Sequence, residues 1–161
     1  GIIVGNRDLV DTLSQNPLAR AVRIDKLSLA GLAATLLHYV KEEAVQRVPI
    51  WRMVAMSGDE LEPRAHRWAE ALACRALVVQ SNSTIGGGSL PGETLPSWVL
   101  SIDASGTHGG AQALANRLRQ TDPPVIGRIE DEHLLLDPRT VLPEEDDALI
   151  QAVSHALGES A

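Results

Sequence analysis

The apolar positions of the chain follow successive patterns, and each predicts a different kind of element. Gly1 to Gly5 is a short continuous apolar run between glycines, the pattern of a buried strand. From Asn6, a suitable helix cap, Leu9, Val10 and Leu13 recur at helical spacing until Asn16-Pro17 interrupts them. A further helix is expected to start at Asp25 or Ser28 and to run to about Glu43. Its Leu27, Leu29, Leu32, Leu36, Leu37, Tyr39 and Val40 cover much of the circumference, which predicts burial on more than one face. Val48 to Trp51 breaks that pattern and Arg52 to Met56 briefly resumes it. Ser57 and Glu60 have the spacing of a capping box, ahead of a helix facing inward through Leu61, Ala65, Trp68 and Leu72. Pro63 lies in its first turn, where a missing N–H is tolerated.

From Arg75 onward the period changes to two. Ala76 to Gln80 and Trp98 to Asp103 read as strands separated by a polar, glycine-rich stretch from Ser81 to Gly92. Gly109 to Gln120 is helical, with Ala111, Leu114 and Leu118 inward. Val125 to Ile129 and Leu134 to Asp137 read as a hairpin turning over Glu130 to His133. Pro143 opens a last helix whose inner side is Leu149, Ile150, Val153 and Leu157, with four carboxylates in its first turn, where the macrodipole favours them. Strand, strand, helix, strand, strand, helix is the order of an antiparallel sheet with helices on one face. The predicted class is therefore α/β passing into α+β. Residues 1–16 read as the last strand and helix of a larger domain, 17–74 as a connecting helical region, and 75–161 as a small α+β domain. A central-type strand opening the chain needs neighbours on both sides, so the chain is expected to begin inside a domain.

Composition narrows the chemistry. The chain has 161 residues, no Phe and a single cysteine, Cys74, so an internal disulfide is impossible and a cysteine-based zinc site cannot form. Cys74 reads as a core or near-core residue. No 18-residue apolar run and no secretory leader occurs, which predicts neither a membrane span nor export. The net charge of −7 is uneven: residues 122–161 carry 2 basic against 10 acidic groups, whereas residues 17–52 carry 6 against 3. An anionic partner is expected to engage the earlier stretch, because affinity for nucleic acid rests largely on neutralising phosphates.

That stretch contains the main candidate site. Arg20 and Arg23 are three apart, so one helical turn or a tight loop places both guanidiniums toward the same space. Each is a planar fork of donors that stays charged near neutral pH, suited to phosphate or carboxylate. Spacing alone leaves two readings open, an anion site or surface arginines with Asp25 pairing one of them. Gly86, Gly87 and Gly88 resemble a phosphate cradle, but no Gly-Lys-Ser/Thr follows, which leaves a plain turn or a loop lining a site. The five histidines are widely separated and form no close ligand pair, so no metal site is expected. The acidic run 144–147 reads as a solvated helix start. No Gly-x-Ser-x-Gly occurs.

Four stretches, in this order, carry a resemblance. They are Leu18 to Ala30 (LARAVRIDKLSLA), Pro49 to Met53 (PIWRM), Ser83 to Gly92 (STIGGGSLPG), and Gly127 to Asp131 with Leu134 to Arg139 (GRIED…LLLDPR). Together they resemble the bacterial selenocysteine synthase family, the L-seryl-tRNA(Sec) selenium transferases, over the chain from Gly1 to the C-terminal helix. The resemblance implies the C-terminal half of a pyridoxal 5'-phosphate enzyme of the aminotransferase-like fold (fold type I), cytoplasmic and assembled as a homo-oligomeric ring of dimers. It implies conversion of seryl-tRNA(Sec) to selenocysteinyl-tRNA(Sec), with selenophosphate as selenium donor.

In that family the cofactor lysine precedes the strand matching Gly1 to Gly5. The only lysines here are Lys26 and Lys41, and neither occupies that position. The resemblance therefore implies that the chain alone is inactive. It assigns Arg20 and Arg23 to the catalytic pocket as ligands of the anionic donor, Asp25 as a residue orienting one of them, and Gly86 to Gly88 as backbone close to the site or to a subunit boundary. Two alternatives stay open at this level. One is a related pyridoxal-phosphate lyase acting on a sugar-acid phosphate or an amino acid, and the other is a non-catalytic oligomerisation module.

Overall fold

A computed structural model of the chain describes residues 2–72, 76–86 and 92–158. The chain divides into two compact units, Gly1–Val48 and Pro49–Ala161.

The first unit is helical. Asn6 caps α1 (Arg7–Ser14) by accepting from the Asp8 N–H, and Asn16 caps the short α2 (Pro17–Ala21) by accepting from Leu18 N–H. Asp25 caps α3 (Lys26–Val40), and α4 (Ala44–Arg47) follows after Glu42, which turns the chain at φ 57°. None of these helices buries a residue. Two expectations fail here. Ile2, Ile3 and Val4 form no strand and are 66%, 70% and 89% exposed. A strand exists only through its ladder to a neighbour, and the described residues of this unit supply none. Likewise α3 stops at Val40 and buries no residue; the apolar side chains that precede it in the same unit, Leu9, Leu13, Leu18 and Val22 among them, are themselves exposed and do not enclose it.

The second unit holds the core. Pro49 does not break the helical pattern but begins α5 (Pro49–Ala55), since an N1 proline loses only an N–H that has no helical partner. In α6 (Gly58–Ala71) the Glu60 carboxylate accepts from Ser57 N–H at 2.8 Å and from Ser57 Oγ at 2.9 Å. Strands β1 (Ala76–Thr84) and β2 (Thr94–Asp103) are followed by α7 (Gly110–Leu118), then by β3 (Arg128–Glu130) and β4 (His133–Leu136). Asp131 and Glu132, at φ 46° and 62°, make the two-residue turn between β3 and β4, the backbone hand that matches the twist of a hairpin. Two 3-10 turns, Pro138–Thr140 and Pro143–Glu145, lead to α8 (Asp146–Leu157), and Gly158 ends it at φ 79°.

The sheet is antiparallel throughout, in the order β1-β2-β4-β3. Its register puts Ala76 opposite Ile102, which faces Leu134, and Leu100 opposite Leu136, so these five share one side. They pack with Trp68 and Leu72, with Ala111, Leu114, Ala115 and Leu118 of α7, and with Leu149, Val153 and Ala156 of α8. Helix α6, expected in the connecting region, is thus part of this core. The β1–β2 hairpin is longer than the apolar pattern shows and continues through Ser81–Thr84 and Thr94–Ser97. Apart from Leu95 and Pro96 those residues are polar, but Ser83 and Ser97 both donate through Oγ to the carboxylate of Asp137, and that anchors the extension.

Candidate functional site

Arg20 lies in the last turn of α2, and Arg23 follows Val22, the residue that closes that helix. Both are exposed, and neither takes part in a described hydrogen bond or ion pair. The short helix is set by its ends, Asn16-Pro17 at the start and the cap of α3 a few residues on. Asp25 Oδ1 accepts from Leu27 N–H and Ser28 N–H, each at 2.9 Å, and Oδ2 accepts from Ser28 Oγ at 2.6 Å. The Ser28 hydroxyl, with the backbone N–H groups behind it, holds the Asp25 carboxyl below its ordinary pKa.

This arrangement has an electrostatic consequence. Asp25 occupies the positive end of α3, so an anion here would be bound by guanidinium forks rather than by helix N–H groups. Arg20, Arg23 and Asp25 belong to the first unit. Gly86 belongs to the second, exposed, with φ 134°, a backbone state suited to glycine, and nothing within 4 Å of where a Cβ would stand. Gly87, Gly88 and Cys74 lie outside the described residues.

The second unit contains an ionic cluster that the apolar pattern did not reveal. Asp146, expected in a solvated helix start, is 2% exposed. Its Oδ2 accepts from Arg64 Nε at 3.1 Å, its Oδ1 from Arg64 Nη2 at 2.5 Å, and Arg67 Nη2 donates to Oδ2 as well. Arg64 also donates to the carbonyls of Pro138 and Val141, and its guanidinium carbon lies 5.6 Å from the centroid of the Trp68 ring. Arg139, 5% exposed, donates to the carbonyls of Met53, Met56 and Pro96, and so ties the end of α5 to β2. Arg128 reaches from β3 to β1, donating to Asn82 O and Ser81 Oγ. The sequence signal for the cluster was slight, a pair of arginines three apart on α6. Every member of it is engaged within the unit, which makes it a brace of the fold. Among the described residues, Arg20 and Arg23 are exposed cations without a hydrogen bond or ion pair, as are Lys26, Lys41 and Arg47 of the same unit.

Among the described residues no group of three or more His, Cys, Asp or Glu is placed to hold a metal ion, and no helix is long and apolar enough to cross a membrane. His38 pairs with Glu43 at 2.9 Å across the end of α3.

The family model of SelA, L-seryl-tRNA selenium transferase, matches residues 1–142. A protein of Moorella thermoacetica named L-seryl-tRNA(Sec) selenium transferase is 43% identical over 164 residues, covering 98% of this chain and 34% of its own length. Proteins of the same name from Desulfovibrio desulfuricans and Nitratidesulfovibrio vulgaris are 40% and 43% identical, over 100% and 98% of this chain and 36% and 35% of theirs. The chain thus spans about a third of the length of the curated relatives it matches. On this similarity, which extends over both structural units, the chain belongs to the L-seryl-tRNA selenium transferase family.

Proposed function

We propose that these residues are part of a transferase that converts L-seryl-tRNA(Sec) to L-selenocysteinyl-tRNA(Sec), and that Arg20 and Arg23 hold the phosphate of the donor, selenophosphate. The observation that carries the second half is the pair of exposed guanidiniums, three positions apart and without a hydrogen bond or ion pair among the described residues, next to a carboxylate already committed to capping α3. A pair of charge-assisted, bidentate contacts suits a phosphate-bearing donor, and arginine keeps its charge through any pH at which the reaction runs. The relatives' names favour a tRNA substrate over a sugar-acid phosphate or a free amino acid.

Pyridoxal 5'-phosphate is the cofactor the family resemblance implies, but the lysines here do not fit its attachment. Lys26 and Lys41 stand exposed at opposite ends of α3, whereas an amine that forms a Schiff base near neutral pH needs a desolvated setting that lowers its pKa. In our reading the cofactor lysine is supplied by polypeptide outside these residues, and no step is assigned to the cofactor here. Residues 1–16 then belong to the large domain of an aminotransferase-like enzyme and the helices that follow to the connecting region, while the small domain takes in α6 together with residues 75–161. The assembly is a cytoplasmic ring of dimers. Gly86 to Gly88 bring backbone near the site or a subunit boundary, and Asp25 steers the neighbouring arginine through the local backbone it fixes.

The test is Arg20→Ala and Arg23→Ala in the full-length transferase, read as selenocysteinyl-tRNA formation against selenophosphate concentration. Each variant should lose at least about a hundredfold in kcat/KM, which corresponds to about 2.7 kcal/mol of transition-state binding. Lysine replacements should recover only part of it. Wild-type turnover in both alanine variants would remove the two arginines from the site.

A further inference from the structure

Asp25 uses more of its carboxylate than capping requires. The Asn6 and Asn16 caps in the same unit each accept from a single N–H, two residues on. In Asp25, Oδ1 accepts from Leu27 N–H and Ser28 N–H, which completes the cap of α3, and Oδ2 is taken by Ser28 Oγ at 2.6 Å. Ser28 is the third residue of α3, from where a capping side chain ordinarily reaches back to the N–H of the cap residue. Here it donates instead to the side-chain oxygen that capping leaves over. That oxygen belongs to a carboxylate two residues from Arg23 and five from Arg20. Arg23 and Ile24 lie between α2 and α3 outside any helix, and Asp25 is extended at φ −72° and ψ 165°. In extended chain, residues two apart are separated by roughly 7 Å and project to the same side, within the reach of an arginine. Asp25 is thus the carboxylate nearest in the chain to both arginines, yet among the described residues it pairs with neither.

We propose that Ser28 is a positioning residue for the anion site: its hydroxyl ties Asp25 Oδ2 to α3 and so keeps that carboxylate off the guanidinium of Arg23. A carboxylate and a phosphate make the same bidentate contact with a guanidinium, so a released Asp25 is a competitor built into the chain. Of the influences that lower the Asp25 pKa, the Ser28 hydroxyl is the largest. The group it holds is therefore the charged form, the one able to compete. Asp25 and Ser28 are both exposed, so the competition is that of a solvated ion pair and changes affinity only a few-fold. Ser28 has this role only if Arg20 and Arg23 bind the donor's phosphate, as proposed for them.

The experiment compares Ser28→Ala, Ser28→Thr, Asp25→Asn and Asp25→Asn/Ser28→Ala in the full-length transferase, with KM for selenophosphate and kcat read separately. Ser28→Ala should raise KM about two- to fivefold with little change in kcat, because a competing carboxylate weakens binding and is displaced at saturation. Ser28→Thr keeps the hydroxyl and should keep the wild-type KM. In the Asp25→Asn background an amide still caps α3 but carries no charge, so adding Ser28→Ala should not raise KM further. A Ser28 that only stabilises the helix start would act equally in both backgrounds, and an equal rise in KM overturns the proposal. An unchanged KM in Ser28→Ala, or a raised one in Ser28→Thr, does the same. Arg20→Ala and Arg23→Ala, assayed alongside, separate the two readings. A loss in kcat/KM there with no change in Ser28→Ala removes only the role of Ser28. Wild-type kinetics in both arginine variants removes the anion site, and the role of Ser28 with it.

Discussion

Replacing Asp146 by alanine removes the anion of a buried cluster and leaves its cations in place. Asp146 is 2% exposed and the Arg64 side chain 11%, so the guanidinium left behind cannot be fully rehydrated without opening the contact between α6 and α8. Breaking a buried ion pair from one side costs about 3–5 kcal/mol. Two features lower the figure. Arg64 keeps the carbonyls of Pro138 and Val141 as acceptors, and Arg67, whose side chain is 57% exposed, regains water when released. The expected loss is therefore about 3 kcal/mol, at the low end of that range. For a domain of this size it would lower the melting temperature by roughly 10 °C. The assay is urea unfolding followed by circular dichroism, with the transition midpoint and the slope both recorded. An Arg64→Met/Asp146→Leu double variant should lie closer to wild type than Asp146→Ala does, because it removes the charge and its counter-charge together. A loss below about 1 kcal/mol for Asp146→Ala, the figure of an exposed pair, would refute the view of this cluster as a buried brace.

Two further outcomes follow from local geometry. In Gly127→Ala the new Cβ would stand 2.9 Å from Leu135 O and from a methyl of each of Leu134 and Leu136. The carbonyl belongs to the β4 backbone and cannot swing aside, so a loss of about 1–3 kcal/mol is expected in the same unfolding assay. Glu60 titrates below its ordinary 4.5, first because Ser57 N–H and then because Ser57 Oγ donates to its charged form. Its contribution is accordingly present above 4.5 and lost as pH falls through the lower folded-state value, and Glu60→Gln should flatten the stability profile in that window. An unchanged profile in the Gln variant would show that the Ser57 contacts do not favour the charged form.

What the sequence determined by itself is what neighbours along the chain can settle. Asn6, Asn16 and Asp25 cap the helices they precede, each by accepting from an N–H two residues on, and Ser57 with Glu60 closes the start of α6. The Asp131-Glu132 turn and the inward faces of α7 and α8 are of the same kind, as is the presence of two arginines three apart. Each depends on atoms within about one helical turn, so the residues that make the contact also encode its geometry. Tertiary structure alone decided the rest. Asp146 meets Arg64 across 82 positions, and Asp137 meets Ser83 across 54. These pairings make a carboxylate in a charged run a buried group, and extend a polar hairpin beyond its apolar segment. The failures in the first unit have the same origin. Ile2 to Val4 and α3 have the composition of a core strand and a core helix, but composition only states a preference for burial. A strand forms and a helix is buried only where other segments supply the ladder and the apolar surface.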